Sequence, residues 1–148
     1  MTYMEKITYL TGNFLQLSQF AVKNAFRVLY LAKAVSSYDG KLEKSLVLAG
    51  AESLAKSAIV DNESIGSEAL LKLLSAGLSE REQASLRFVI LKRDYLVSYF
   101  YIDNATPLAR EEVAVYESKI TELNEYCKRA TTLNQELSKS ADKIYDTF

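Results

Sequence analysis

Long stretches of this chain run without the two residues that break regular backbone: among 148 positions there is one proline, and the five glycines are scattered at 12, 40, 50, 66 and 77. All-β and doubly wound folds turn often and draw on Gly and Pro to do so, whereas helices exclude both. This scarcity predicts an all-α fold. The hydrophobic spacing predicts an up-down bundle of about five helices with long first and last helices, in a single domain covering residues 1–148. A hydrophobic fraction of 49% beside a charged fraction of 25% is that of an ordinary globular protein, which disfavours disordered and low-complexity classes.

In the first segment Ile7, Leu10, Phe14, Leu17, Ala21, Val28, Leu31, Val35 and Tyr38 step three and four residues once Asn24 is counted. Gly12 costs about 1 kcal/mol relative to alanine inside a helix, which places the expected start near Asn13. Asp39-Gly40 supplies a stop. A second helix is expected from about Leu42 to Val60, and residues 61–66 make a polar connection. Ser67 is the expected cap of a short third helix whose buried side is Leu70, Leu71, Leu73 and Leu74, with Gly77 in the left-handed position past its end. Ser79-Glu80-Arg81-Glu82 matches a capping box and opens a fourth helix that reaches about Tyr101. Asp103 to Pro107 ends that helix and begins the last, with Thr106 as cap and Pro107 in the first turn. From there Val113, Tyr116, Ile120, Leu123, Cys127, Ala130, Asn134, Leu137, Ala141, Ile144 and Phe148 step three and four without a break.

Two such stripes are expected to pack at a shallow crossing angle. Asn24 and Asn134 sit near their middles, where an amide fixes register or oligomeric state; the two can bond within one chain or across a dimer, or lie half-exposed at the seam's edge. A helix of roughly 40 residues spans about 60 Å and the third helix only about 15 Å. Part of the long stripes, Leu123 and Leu137 included, is therefore expected to meet a protein partner or a second copy of the chain.

The chain has no histidine, which removes the commonest general base, the Ser-His and Cys-His pairs and most zinc or di-iron ligand sets. No Gly-rich phosphate loop exists. Glu111, Glu112, Glu122, Glu125 and Glu136 of the last helix are expected to form a solvated face. The expectation is a protein that is not an enzyme and uses neither metal nor cofactor. A net charge of −1, from 18 basic and 19 acidic residues, disfavours RNA or nucleotide as a partner. The lone Cys127 has no internal partner and, on the apolar seam, is expected to act as a small hydrophobe. The first residues lack the pattern of a secretory signal, and the apolar stretch from Phe14 to Val35 carries Lys23, Arg27 and Lys33; a cytoplasmic protein that does not enter a membrane is expected.

One segment mixes charge, hydroxyl and aromatic groups: Lys92-Arg93-Asp94-Tyr95-Leu96-Val97-Ser98-Tyr99-Phe100-Tyr101-Ile102-Asp103-Asn104. Arg93, Asp94, Tyr95, Ser98 and Tyr99 are candidate ligand-binding residues, since guanidinium binds phosphate in a fork and phenol rings stack on bases. The alternative is that the aromatics are packing and Arg93-Asp94 a solvated pair. Here the chain resembles the HEPN superfamily of small helical bundles found in toxin–antitoxin, phage-defence and RNA-processing systems. That family's active members carry an arginine, often followed by a polar residue, and a histidine four to six positions later, and they dimerise to join two motifs into one RNase site. Arg93-Asp94 matches the first part, while Ser98 stands where the histidine belongs. The resemblance implies a catalytically inactive member that binds RNA or nucleotide without cutting it. The two readings are thus a protein-interaction module, expected to be a homodimer, and a HEPN-like binder.

Overall fold

The computed structural model describes residues 1–98, 100, 104 and 112–148. Among these, the chain forms helices α1 (Tyr3–Ser36), α2 (Lys44–Asp61), α3 (Ser67–Ser75), α4 (Glu80–Ser98) and α5 (Val113–Thr147), and no strand. The expected all-α bundle with long first and last helices is what forms. No described helix is long and apolar enough to cross a membrane.

Side-chain capping sets the starts of α1 and α4. Thr2 and Glu5 form a reciprocal capping box at α1, the Glu5 N–H donating to Thr2 Oγ1 at 3.1 Å and the Thr2 N–H to Glu5 Oε2 at 3.3 Å. The helix thus starts well before Asn13 and carries Gly12 in its interior. Burial of Ile7 and Phe14, both fully enclosed, outweighs the glycine's cost of about 1 kcal/mol. Ser79 and Glu82 cap α4 as the sequence indicates, with bonds of 3.1 and 2.9 Å. Glu112 precedes α5 with extended backbone (ψ 108°), so the long last helix begins at Val113, later than Thr106. Thr106, Pro107 and the expected end of the fourth helix at Tyr101 lie outside the described residues.

Two further expectations are corrected. Gly66, not Ser67, is the N-cap of α3, and Ser67 is its first helical residue. Gly77 is not left-handed; Gly40, at φ 82°, is the one described glycine with positive φ. What Gly77 provides is room, since a Cβ there would lie 2.6 Å from the Cα of Leu29 on α1.

Side-chain pairings fix the helix directions. Along α1 and α5, Tyr3 stacks on Tyr116 (5.5 Å between centroids), Asn24 donates to Asn134 (2.8 Å), and Tyr38 meets Phe148 edge-on (4.9 Å). The two helices therefore run parallel. On α4, Glu82 meets Ser140 and Phe88 meets Tyr126 of α5, so α4 is antiparallel to both long helices. Five alternating helices necessarily leave the first and last pointing the same way. One core joins all five, centred on Phe14, Phe26, Leu31, Leu74, Leu86, Ile90, Leu123, Leu133 and Leu137. The stripes of α1 and α5 thus cover much of each other within the chain, Leu123 and Leu137 being fully buried.

Candidate functional site

The residues singled out on α4 separate in space. Positions two apart on a helix do not share a face, and Arg93 and Tyr95 accordingly turn away from each other. Arg93 reaches α3: its Nη2 donates to Ser67 Oγ at 3.3 Å and to Asp94 Oδ1 at 3.2 Å, and its Nε donates to the same Asp94 oxygen at 3.3 Å. Ser67 Oγ completes the triangle by donating to Asp94 Oδ2. The hydroxyl expected to cap α3 instead ties α3 to α4. Tyr95 lies against Phe100, rings edge-to-face at 6.1 Å, and Ser98 is exposed. Tyr99 lies outside the described residues. A guanidinium and two phenols lining one groove is therefore not what the described residues form.

Sequence reasoning overlooked a cationic-aromatic cluster on the opposite side of α4. Phe88, Lys92 and Tyr95 step four and three along one face, as do Glu122, Tyr126 and Arg129 on α5. Either triplet is visible as a helix face, but only the packed structure shows that the two faces meet. Lys92 Nζ lies 5.6, 6.0 and 5.3 Å from the ring centres of Phe88, Tyr95 and Tyr126, and Arg129 stacks its guanidinium 3.5 Å over Phe88. Burial, reinforced by the hydrogen bond to Glu122, pushes the Tyr126 phenol above its ordinary range. Burial alone would raise the Glu122 carboxyl, but the bonds from Tyr126 and Lys119 (3.1 Å) outweigh it and hold it low. A neutral phenol donating to an ionised carboxylate one turn away on the same helix offers no free base.

A third cluster joins α1, α2 and α5. Arg27 Nε donates to Glu52, Tyr145 donates to the other Glu52 oxygen at 3.1 Å, and the Arg27 guanidinium lies 5.8 Å from the Tyr145 ring centre. Burial works against ionised Glu52, yet these bonds hold its carboxyl below the usual range. The open cleft beside it, about 290 Å³, is lined by Lys23, Arg27, Glu52 and Lys56. A wider groove of about 770 Å³ lies between α3 and α4. The Arg87–Glu68 pair spans those two helices with bonds of 2.9 and 3.2 Å.

The remaining interface candidates fall inside the chain. Asn134 accepts from Asn24 and donates to the Leu17 carbonyl at 3.1 Å, so the amide pair sits across the α1–α5 seam of one chain. Leu123 and Leu137 are fully buried in the core, where no partner reaches them. Cys127 is buried too: Asn13 donates to its sulfur at 3.7 Å, its thiol donates to the Leu10 carbonyl at 3.6 Å, and burial pushes its pKa up.

Among the faces that the fold leaves open is one side of α2. Leu48, Ala51, Ala55 and Ala58 face the core, while Leu46, Leu54 and Val60 are 59%, 59% and 67% exposed. At 100° per residue, Leu46, Ala49, Gly50, Ser53, Ser57 and Val60 form one outward strip, all of them exposed and none charged. Leu54 flanks it on one side and Lys56 on the other. A helix that is apolar on both faces is normally enclosed on both. No protein family, curated protein or solved structure matches this chain.

Proposed function

We propose that the chain is a non-catalytic helical bundle that acts as a protein-interaction or assembly module, docking through the outward strip of α2. The observation that carries this reading is the outer face of α2, where three large aliphatic side chains, Leu46, Leu54 and Val60, stand in water. Fully burying such side chains is worth about 1.5–3 kcal/mol each, enough for a short strip to drive association. The centre of the α1–α5 seam, Leu123 and Leu137 included, is already enclosed.

The alternative is a catalytically inactive HEPN-like binder of RNA or nucleotide acting through Arg93. Against it stands the engagement of that guanidinium with Asp94 and Ser67, which a phosphate would have to displace.

A photo-crosslinking amino acid at Ser53 tests the proposal in extract of the source cells. The expected result is one discrete crosslinked species, either a self-adduct or an adduct with another protein, that disappears when Leu46→Glu is added. No discrete adduct, or one indifferent to Leu46→Glu, overturns the reading. Arg93→Ala should leave the adduct unchanged.

A further inference from the structure

The cleft between α1 and α2 gathers positive charge in a chain whose net charge is −1. Lys23 and Arg27 stand one turn apart on α1, and Lys56 of α2 lines the same space. Like charges at the one-turn spacing repel, and the described residues give neither Lys23 nor Lys56 a salt bridge. Glu52 is the acidic residue of the lining. Both of its oxygens are taken, one by Arg27 Nε and the other by the Tyr145 hydroxyl. Lys56 also bears on that carboxyl, as the weakest of the influences that hold it low. One positive charge, that of Arg27, is thus matched by Glu52, and two are left over. Asn24, at the edge of the cleft, commits its amide N–H to Asn134.

The excess charge decides the class of ligand. A metal cation is repelled. A carboxylate brings one negative charge and balances one ammonium, whereas a phosphate monoester brings close to two, with three strong acceptor oxygens. Arg27 spends its Nε hydrogen on Glu52 and also engages the Tyr145 hydroxyl, which leaves part of its fork of donors for an anion. Size bears on the rest of the ligand. The cleft holds about 290 Å³, where a single water needs about 10–15 Å³. A bare phosphate leaves part of that space empty, and Ala55 and Ile59 of α2 supply an apolar wall for an organic group beside it.

We propose that the α1–α2 cleft binds a small phosphomonoester, its phosphate held by Lys23, Lys56 and Arg27 and its organic group set against Ala55 and Ile59. Lys23 and Arg27 belong to α1, so this site does not rest on the docking reading of the outward α2 strip.

The test titrates purified full chain with inorganic phosphate and with phenyl phosphate at about pH 8, where both are dianionic. Backbone amide shifts are followed by NMR at constant ionic strength set with sodium chloride. Both probes should give saturable shifts centred on residues 23–27 and 52–59, and phenyl phosphate should bind more tightly. Lys23→Gln and Lys56→Gln should each weaken both probes by about tenfold or more, the loss expected for one charge-assisted hydrogen bond. Both lysines are exposed, so neither variant disturbs the core, and far-UV circular dichroism checks that. Lys128→Gln, at an exposed position of α5 outside the cleft, should bind as wild type does. Shifts that never saturate, or that sodium chloride alone reproduces, overturn the proposal, as does an equal loss of affinity in all three variants. Phenyl phosphate binding no more tightly than inorganic phosphate overturns the assignment to a monoester.

Discussion

Gly77 and Thr11 show how single positions constrain this bundle. At Gly77 the cost of any side chain is set by backbone, because the nearest atom to an added Cβ is the Leu29 Cα at 2.6 Å and helix α1 must move to admit it. Gly77→Ala should therefore lose about 1–3 kcal/mol in urea unfolding, although the residue has ordinary φ and alanine is the better helix former. Thr11 Oγ1 is the one buried side-chain N or O atom among the described residues without a hydrogen-bond partner. Thr11→Val keeps the shape and removes the unpaired hydroxyl, so it should be neutral or stabilise by up to about 1–2 kcal/mol. A clear loss of stability in that variant would mean the hydroxyl has a partner in solution. Neither role was legible in the sequence. The spacing of Gly77 suggested a left-handed turn, since close approach depends on which helix lies above it, and Thr11 is an ordinary helix residue until its surroundings are known. The capping box at Ser79 and Glu82 was legible because both halves lie within four residues.

Among the elements, α1 tolerates a glycine that it does not need. Gly12 is exposed, lies in mid-helix, and has open space where a Cβ would sit. Gly12→Ala should raise stability by about 0.5–1 kcal/mol, measurable as a higher Tm without change in far-UV dichroism. At the start of α4, Ser79→Ala should cost about 1 kcal/mol, and Glu82→Ala more, because Glu82 also accepts from Ser140 of α5 at 2.8 Å. The long stripes revealed both terminal helices, because periodicity is a property of one segment; the bond between Asn24 and Asn134 was one of three readings their positions left open. Two things escaped: that five alternating helices make the stripes parallel and mutually covering, and which side of α2 is covered. α2 is apolar on both faces, so its own pattern cannot say which one turns inward. The α4 site was misjudged for a related reason. Composition put Arg93 and Tyr95 together, while the helix turns them to different neighbours.

At the scale of the whole molecule, two partly buried carboxylates give the bundle a pH signature: Glu52, which ties α2 to α1 and α5, and Glu122, which is bonded within α5. Glu52 and Glu122 have lowered pKa values in the folded chain despite burial. A lowered folded pKa contributes stability above the ordinary glutamate pKa of about 4.3 that is lost as pH falls through the lower folded value. Stability should decline below about pH 4.3, and less steeply in Glu52→Gln or Glu122→Gln, as followed by thermal unfolding from neutral to acid pH. On the alkaline side the sign reverses for Tyr126. Its raised pKa keeps the folded phenol neutral while the unfolded one ionises near pH 10, so stability falls above about pH 10, less in Tyr126→Phe.

The central claim is that the α1–α5 seam closes inside one chain and leaves the α2 strip as the docking face. The most direct measurement is the thermal unfolding of Leu123→Glu beside Leu46→Glu, followed by far-UV circular dichroism. A charge at Leu123 enters a fully closed core, so that variant should lose at least about 4 kcal/mol and much of its cooperative transition. Leu46→Glu changes an exposed position and should melt within a few degrees of wild type. A Leu123→Glu chain that keeps its helix content and midpoint would contradict the account, because its seam would then face a second molecule.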